Sequence, residues 1–194
     1  MTGSKIMFNY FRQYFVGLYN NVPSAIYEGL VSVFCIGTVL ILAFVGFRRG
    51  SKYIAGLLLV EYVFLLFCVT VFLRVASDVI SGHNFHPFWS YAAILQGRYF
   101  LIAEKIMNVV AFMPIGLLLG VSMRGKKEDL RWKSGWLIAF LLGLCISVSI
   151  ETLQYFTHRG FSEFDDVFHN TLGCVIGYGM WKVLNAFVVK IYHN

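Results

Sequence analysis

The chain of 194 residues is too apolar for a water-soluble domain, since 58% of its residues are hydrophobic and only 13% are charged, against about 25% charged in soluble domains. A net charge of +6 would suit nucleic acid, but a basic excess on one side of a bilayer is what membrane insertion produces. We therefore expect a membrane protein without a nucleic-acid partner. The four cysteines form no CxxC pair, and neither a metal nor a cofactor is expected.

The N-terminal stretch, residues 1–24, is rich in Phe and Tyr but too short and too polar to span a bilayer. Such a segment favours an amphipathic helix at the membrane interface. The first long apolar run starts only after Pro23 and has no convincing cleavage site, so no removed signal peptide is expected.

A transmembrane helix needs about 20 mainly apolar residues. The stretches that qualify are 25–47, 53–75, 102–122, 135–156 and 166–188. Backbone polar groups in lipid must be paired within the segment, which predicts helices. The sequence thus predicts an all-α, polytopic integral membrane bundle of about five transmembrane helices. Its parts are an interfacial segment (1–24), two helices (25–75), and an outer loop with three helices (76–194).

Lys and Arg set the predicted orientation, because they favour the cytoplasmic side. One side holds Arg48, Arg49, Lys52, Arg124, Lys126, Lys127, Arg131, Lys133, Lys182 and Lys190. The other holds Lys5, Arg12, Arg74, Arg98, Lys105 and Arg159. The richer side is predicted to be cytoplasmic, with the N-terminus outside and the C-terminus inside. The 76–101 loop then lies outside, where Trp89, Tyr91 and Tyr99 suit the headgroup layer.

Two polar stripes flank the link between the last two predicted helices. The first consists of Ser147, Glu151, Gln154 and His158, and the second of Glu163, Asp166, Asn170, Gly173 and Gly177. Spacings of three and four residues put each set on one helix face. The short link makes the helices antiparallel neighbours, so the stripes are expected to meet in the outer leaflet. Glu163 and Asp166 are placed in the first turn of the last helix, and Asn108 begins at the same depth.

Simpler explanations of these residues stay open. First-turn acids cap helices, and Asn170, Asn108 or Arg159 can bond across helices as structural contacts. A metal site from Glu151, His158, Glu163, Asp166 and His169 lacks HExxH or similar spacing. No GxSxG motif supports a nucleophilic triad. Glu61, inside a predicted span, is either a functional or a structural acid.

Four motifs in order resemble the VanZ-like family of small bacterial membrane proteins. They are His86-Pro87-Phe88; Asn108 to Phe112 with Pro114 and Gly116; Ser147, Glu151 and Gln154; and Glu163, Asp166, Asn170, Gly173 and Gly177. The family often has Asp where this chain has Glu163. The resemblance covers residues 85–180 and implies a role in the cell envelope and in resistance to glycopeptides such as teicoplanin.

Three hypotheses follow for function. In the first, a polar pocket in the outer leaflet of the bacterial cell membrane binds a membrane lipid, a lipid-linked envelope precursor or the lipoglycopeptide drug. Its expected lining is Asn108, Glu151, Gln154, Arg159, Glu163, Asp166 and Asn170, with Pro114, Gly116, Gly173 and Gly177 serving helix packing. In the second, the chain is an intramembrane enzyme with Glu151 as base and Asp166 as acid. In the third, it is a structural partner of another membrane protein. Catalysis is the weaker expectation.

Overall fold

The computed structural model describes residues 51–74, 76, 82–123 and 128–193. The predicted interfacial helix (1–24) and the first predicted span (25–47) lie outside the described residues. Within the described part the chain is mainly helical, as expected. The helices are α1 (Ser51–Phe67), which continues as a π-helical turn (Cys68–Phe72), α2 (Trp89–Leu95), α3 (Phe100–Ser122), α4 (Glu128–Thr157) and α5 (Phe164–His193).

Three helical stretches among the described residues are long and apolar enough to cross a membrane: Lys52–Phe72, Phe100–Ser122 and Ser134–Thr157. They match three of the predicted spans within a few residues. The fourth predicted span in this part, 166–188, lies within the helix α5. Because α5 carries His169, Asn170 and Lys182, it is less apolar than the other three, and its crossing of the membrane stays a prediction.

Helices α3 and α5 pack with their backbones in close contact. A Cβ atom at Gly173 would overlap the carbonyl of Val109, and one at Gly177 would overlap the carbonyl of Met113. On the other side of the contact, a Cβ at Gly116 would meet the carbonyl of Cys174. Small residues permit this approach, which brings the start of α3 next to the start of α5.

A short parallel pair of strands is not expected in an all-α protein. It joins the loop that is predicted to lie outside, which we call the outer loop, to the link between α4 and α5. Strand β1 (Gly82–Asn84) pairs with β2 (Phe161–Glu163), and Asn84 lies opposite Glu163. The prediction that Glu163 lies in the first turn of the last helix is therefore wrong. Residues Asp165 and Asp166 occupy that turn, while Glu163 is held in an extended strand just before it.

The hydrophobic core lies between α3, α4 and α5. Its most buried members are Phe112, Ile115, Ala139, Ile150, Cys174 and Tyr178. Many large apolar side chains point outward from α1, α4 and α5, including Leu57, Phe64, Leu137 and Leu184. A soluble protein rarely exposes so many large apolar side chains on its helices, whereas lipid tails would cover them.

Candidate functional site

The ammonium group of Lys105 forms the centre of a buried charge cluster. Its Nζ atom donates to Glu163 Oε2 at 2.6 Å, to Asp166 Oδ1 at 2.6 Å and to Glu104 Oε1 at 2.9 Å. Helix α3 supplies the lysine and Glu104, and the start of α5 and the strand before it supply the other acids. The lysine side chain is 6% exposed, so water hardly screens these ion pairs.

A fourth carboxylate, that of Glu151, joins the cluster from α4. Its Oε2 atom accepts the backbone N–H of Glu163 at 2.9 Å, and the Glu151 residue is 7% exposed. The indole N–H of Trp89 donates to Glu163 Oε2 at 3.2 Å from the outer loop. Glu163 is thus fixed through its backbone by Glu151 and through its side chain by Lys105 and Trp89.

Negative charge exceeds positive charge in the cluster, because four carboxyl groups surround one ammonium. Burial and the neighbouring Asp166 carboxylate raise the pKa of Glu163 to about 7, against an ordinary value of 4.5, although Lys105 opposes this shift. Glu163 therefore exchanges its proton near neutral pH. The side chains of Glu104 and Asp166 are 26% and 17% exposed, so the cluster is open to its surroundings on their side.

Asp165 anchors the outer loop to this cluster. One carboxylate oxygen accepts the backbone N–H of Phe88 at 2.5 Å. The other accepts the backbone N–H of Ser90 at 3.0 Å and also the Ser90 hydroxyl. Asp165 is fully buried. It caps the N-terminus of α2 from another helix and holds Phe88 at a φ of 61°, a conformation that is costly for a bulky residue.

His169 continues this anchor one turn further along α5. Its Nδ1 atom lies 2.5 Å from the backbone carbonyl of Asp165, and its Nε2 atom lies 2.9 Å from the hydroxyl of Tyr91. A carbonyl only accepts, so Nδ1 carries the proton and Nε2 accepts from Tyr91 in the neutral ring. The histidine side chain therefore positions the outer loop, and both ring nitrogens are occupied.

Gln154 and Arg159 contact the π-helical turn. Gln154 Nε2 donates to the carbonyl of Thr70 at 3.1 Å, and Arg159 Nη1 donates to the carbonyl of Phe72 at 2.9 Å. A π-helical turn frees carbonyls that an α-helix would use internally. These two expected site residues therefore tie α1 to the outer end of α4, and neither donates a hydrogen bond to the charge cluster.

Asn170 and Asn108 lie on the two helices that carry the cluster, one turn deeper. Asn170 Nδ2 donates to the hydroxyl of Ser147 at 2.9 Å, which links α5 to α4. The Nδ2 atom of Asn108 is buried and has no hydrogen-bond partner among the described residues. An orphaned donor costs about 1–3 kcal/mol when no water or ligand meets it.

The only set of potential metal ligands within the described residues is Glu104, Glu163 and Asp166, whose ligand atoms lie within 4.8 Å of one another. The Lys105 ammonium bonds to all three of them. A cation thus already sits among these carboxylates, and the lysine supplies the charge that a metal ion would otherwise bring.

Sequence reasoning missed Lys105, Glu104, Trp89 and Asp165 as members of the site. It counted Lys105 only among the outer positive charges and favoured the neighbouring Asp166 over Asp165. A lysine inside a predicted span, three residues before Asn108, was the available signal, because ionisable groups in spans are costly and usually paired. Nothing in the sequence indicates that Asp165 bonds to the outer loop.

Comparison with known proteins gives two matches. A sequence model of the VanZ/LLP1 family matches residues 53–185, a range that includes every residue of the cluster and also helix α1 from Tyr53. Protein VanZ of Enterococcus faecium is 27% identical over 142 residues, which cover 70% of this chain and 78% of that protein. No solved structure matches the chain.

Proposed function

The chain belongs to the VanZ/LLP1 family, and on that premise we propose that it contributes to bacterial resistance against glycopeptide and lipoglycopeptide antibiotics such as teicoplanin. The similarity to Protein VanZ of Enterococcus faecium supports this role. The apolar helices support an integral membrane location, and we infer that the membrane is the bacterial cytoplasmic membrane. The excess of Lys and Arg on the other predicted side favours a position of the charge cluster at the outer surface of this membrane.

The charge cluster is the candidate binding site. The observation that carries this proposal is four carboxyl groups around one ammonium, two of them partly exposed. Such a group of acceptors binds a ligand rich in hydroxyl or ammonium groups. The headgroup of a membrane lipid, a lipid-linked envelope precursor and the polar part of the drug all meet this description. Bound ligand would donate to Asp166 and Glu104 from the exposed side.

The test is teicoplanin susceptibility in a sensitive bacterium that expresses the chain. We expect the intact protein to raise the inhibitory concentration, and Asp166→Asn and Glu151→Gln to remove most of that protection. The matched control is Glu61→Gln, because Glu61 lies on α1 and, within the described part of the chain, forms no hydrogen bond or ion pair with the cluster. Equal protection by all four proteins, each present in the membrane at the same level, would contradict the proposal.

An intramembrane enzyme is the second candidate, and one observation favours it. Glu163, whose pKa is raised to about 7, lies beside Asp166 and Lys105, so an acid and a base stand within a few ångströms of each other. Such groups can transfer protons during cleavage or transfer at a lipid or glycan. Envelope lipids whose profile changes only when the carboxylates are intact would favour catalysis, whereas binding without turnover would favour the first candidate.

A further inference from the structure

A second site lies beside the cluster, at the outer end of α4. It is a cleft of about 130 Å³, enough for a few water molecules or a phosphate group. The residues that line it are Gly82, His83, Gln154, Tyr155, His158 and Gly160. None of these six residues has a carboxylate, in contrast to the adjoining cluster. Their side chains instead offer amide, imidazole and hydroxyl donors.

Arg74 adds a permanent positive charge next to Gly160, one of the residues that line the cleft. Its Nη1 atom lies 2.8 Å from the position that a Cβ would take at Gly160. Gly160 has a φ of 146°, a conformation that L side chains rarely adopt, so the link between α4 and β2 leaves room for the guanidinium. Within the described part of the chain, no hydrogen bond or ion pair engages the Arg74 side chain.

Aromatic rings form the outer rim. The ring of His83 stacks on Phe85 at 5.1 Å between centroids and meets the ring of Tyr155 edge-on at 5.4 Å. Phe85 and Tyr155 are both about half exposed, at 56% and 44%. Because the apolar span of α4 ends at Thr157, the cleft lies at the depth of lipid headgroups.

From these observations we infer that the cleft binds a phosphate group carried by a lipid. The guanidinium of Arg74 pairs with the phosphate oxygens, since its planar fork fits phosphate in a bidentate manner. The side chains of Gln154 and His83 complete the coordination, and the aromatic rim contacts the first carbons of the lipid. A phospholipid headgroup and a phosphorylated polyprenyl carrier share this chemistry. The inference does not depend on the function proposed for the acid cluster.

The test measures binding to the purified full chain in neutral detergent. The probes are inorganic phosphate, a short-chain phosphatidylglycerol, a polyprenyl phosphate, and a diacylglycerol that lacks phosphate. We expect both phosphorylated lipids to bind, and Arg74→Gln to weaken that binding about tenfold or more, because a hydrogen bond to a charged group is lost. Whichever phosphorylated lipid binds more tightly identifies the source, and inorganic phosphate that competes with it shows that the phosphate group itself is recognised.

The matched control is Arg98→Gln, which removes the same charge from an exposed position of the outer loop that does not line the cleft. It should bind like the intact protein. Arg74→Lys should retain part of the affinity, because it keeps the positive charge but loses the bidentate geometry of the guanidinium. Diacylglycerol that binds as well as phosphatidylglycerol, or equal losses in Arg74→Gln and Arg98→Gln, would overturn the inference. Thermal unfolding of each variant establishes that it is folded.

Discussion

At the scale of single residues, Asp165 shows how one buried carboxylate organises a loop. It accepts hydrogen bonds from the backbone of Phe88 and from both donors of Ser90, so the outer loop is fastened to the start of α5. The same loop also holds Trp89 in a hydrogen bond with Glu163 and Tyr91 in a hydrogen bond with His169. The geometry of the charge cluster therefore depends on a residue that does not contact Lys105.

We predict that Asp165→Asn lowers the free energy of unfolding by roughly 2–3 kcal/mol, because it removes a charged acceptor from three donors, two of them buried. Ser90→Ala keeps the backbone donors and should cost only about 1 kcal/mol. Thermal unfolding in detergent measures the loss, and hydrogen exchange should show faster exchange in residues 86–95 but not in the inner half of α3. An Asp165→Asn protein as stable as the intact one would refute this role.

Glu163 gives the cluster a pH dependence whose sign follows from its pKa. The folded protein holds the Glu163 proton up to about pH 7, whereas the unfolded chain releases it near 4.5. Between these values the folded state binds more protons, so this group makes stability fall as pH rises from 4.5 to 7 and leaves it level above. We predict that Glu163→Gln reduces the difference in melting temperature between pH 5 and pH 7.5. An unchanged difference would contradict the assignment.

At the scale of helices, the contact of α3 with α5 sets the distance between Lys105 and its acidic partners. Gly173 and Gly177 allow the two backbones to approach, and that approach carries Asp166 within 2.6 Å of the Lys105 ammonium. A side chain in this contact would push against a backbone carbonyl, which cannot move away as a side chain can. The glycines thus act on the site from a distance of several turns.

Gly177→Ala should therefore destabilise the protein by about 1–3 kcal/mol, as overpacked cores do. Gly56→Ala is the matched control, because a Cβ at Gly56 meets no atom within 4 Å. It should be neutral or stabilising by up to about 1 kcal/mol, since alanine favours a helix interior over glycine. Thermal unfolding of the two variants in the same detergent provides the comparison. Equal stability of both would show that the close contact contributes nothing.

The helices were largely predictable from sequence, and the contacts between them were not. Apolar runs located three spans to within a few residues, because a bilayer imposes both length and composition. Periodicity placed Glu151 and Asp166 on facing stripes, but it carried no information about the outer loop that folds back over them. Glu163 was assigned to a helix because its spacing fits one, although pairing with β1 holds it in a strand.

At the level of the complete protein, the proposed function depends on which end of the helix bundle faces outward. Lys105 near the start of α3 and Glu151 near the end of α4 lie at one end, and α3 places Ser122 about 26 Å from Lys105 along the helix axis. The basic segment 124–133 begins two residues after Ser122 in the sequence, and we predict that it lies on the opposite side of the membrane from the cluster.

A reporter inserted at Lys133 should therefore be active only in its cytoplasmic form, and one inserted at Gly97 only in its external form. The physical reason is the excess of Lys and Arg on the side that contains residue 133. The two insertions control for each other, because the two positions are predicted to lie on opposite sides of the membrane. An external reporter at Lys133 would place the charge cluster on the cytoplasmic side and remove it from the site of drug action.

The most direct measurement for the proposed binding function is native mass spectrometry of the protein purified in mild detergent, in its intact form and as the Glu151→Gln/Asp166→Asn double variant. The intact protein is predicted to retain a specific lipid or lipid-linked precursor, or to take up added teicoplanin, and the folded double variant to lose that species. The same bound species in equal amount on both proteins would contradict a binding role for the carboxylates.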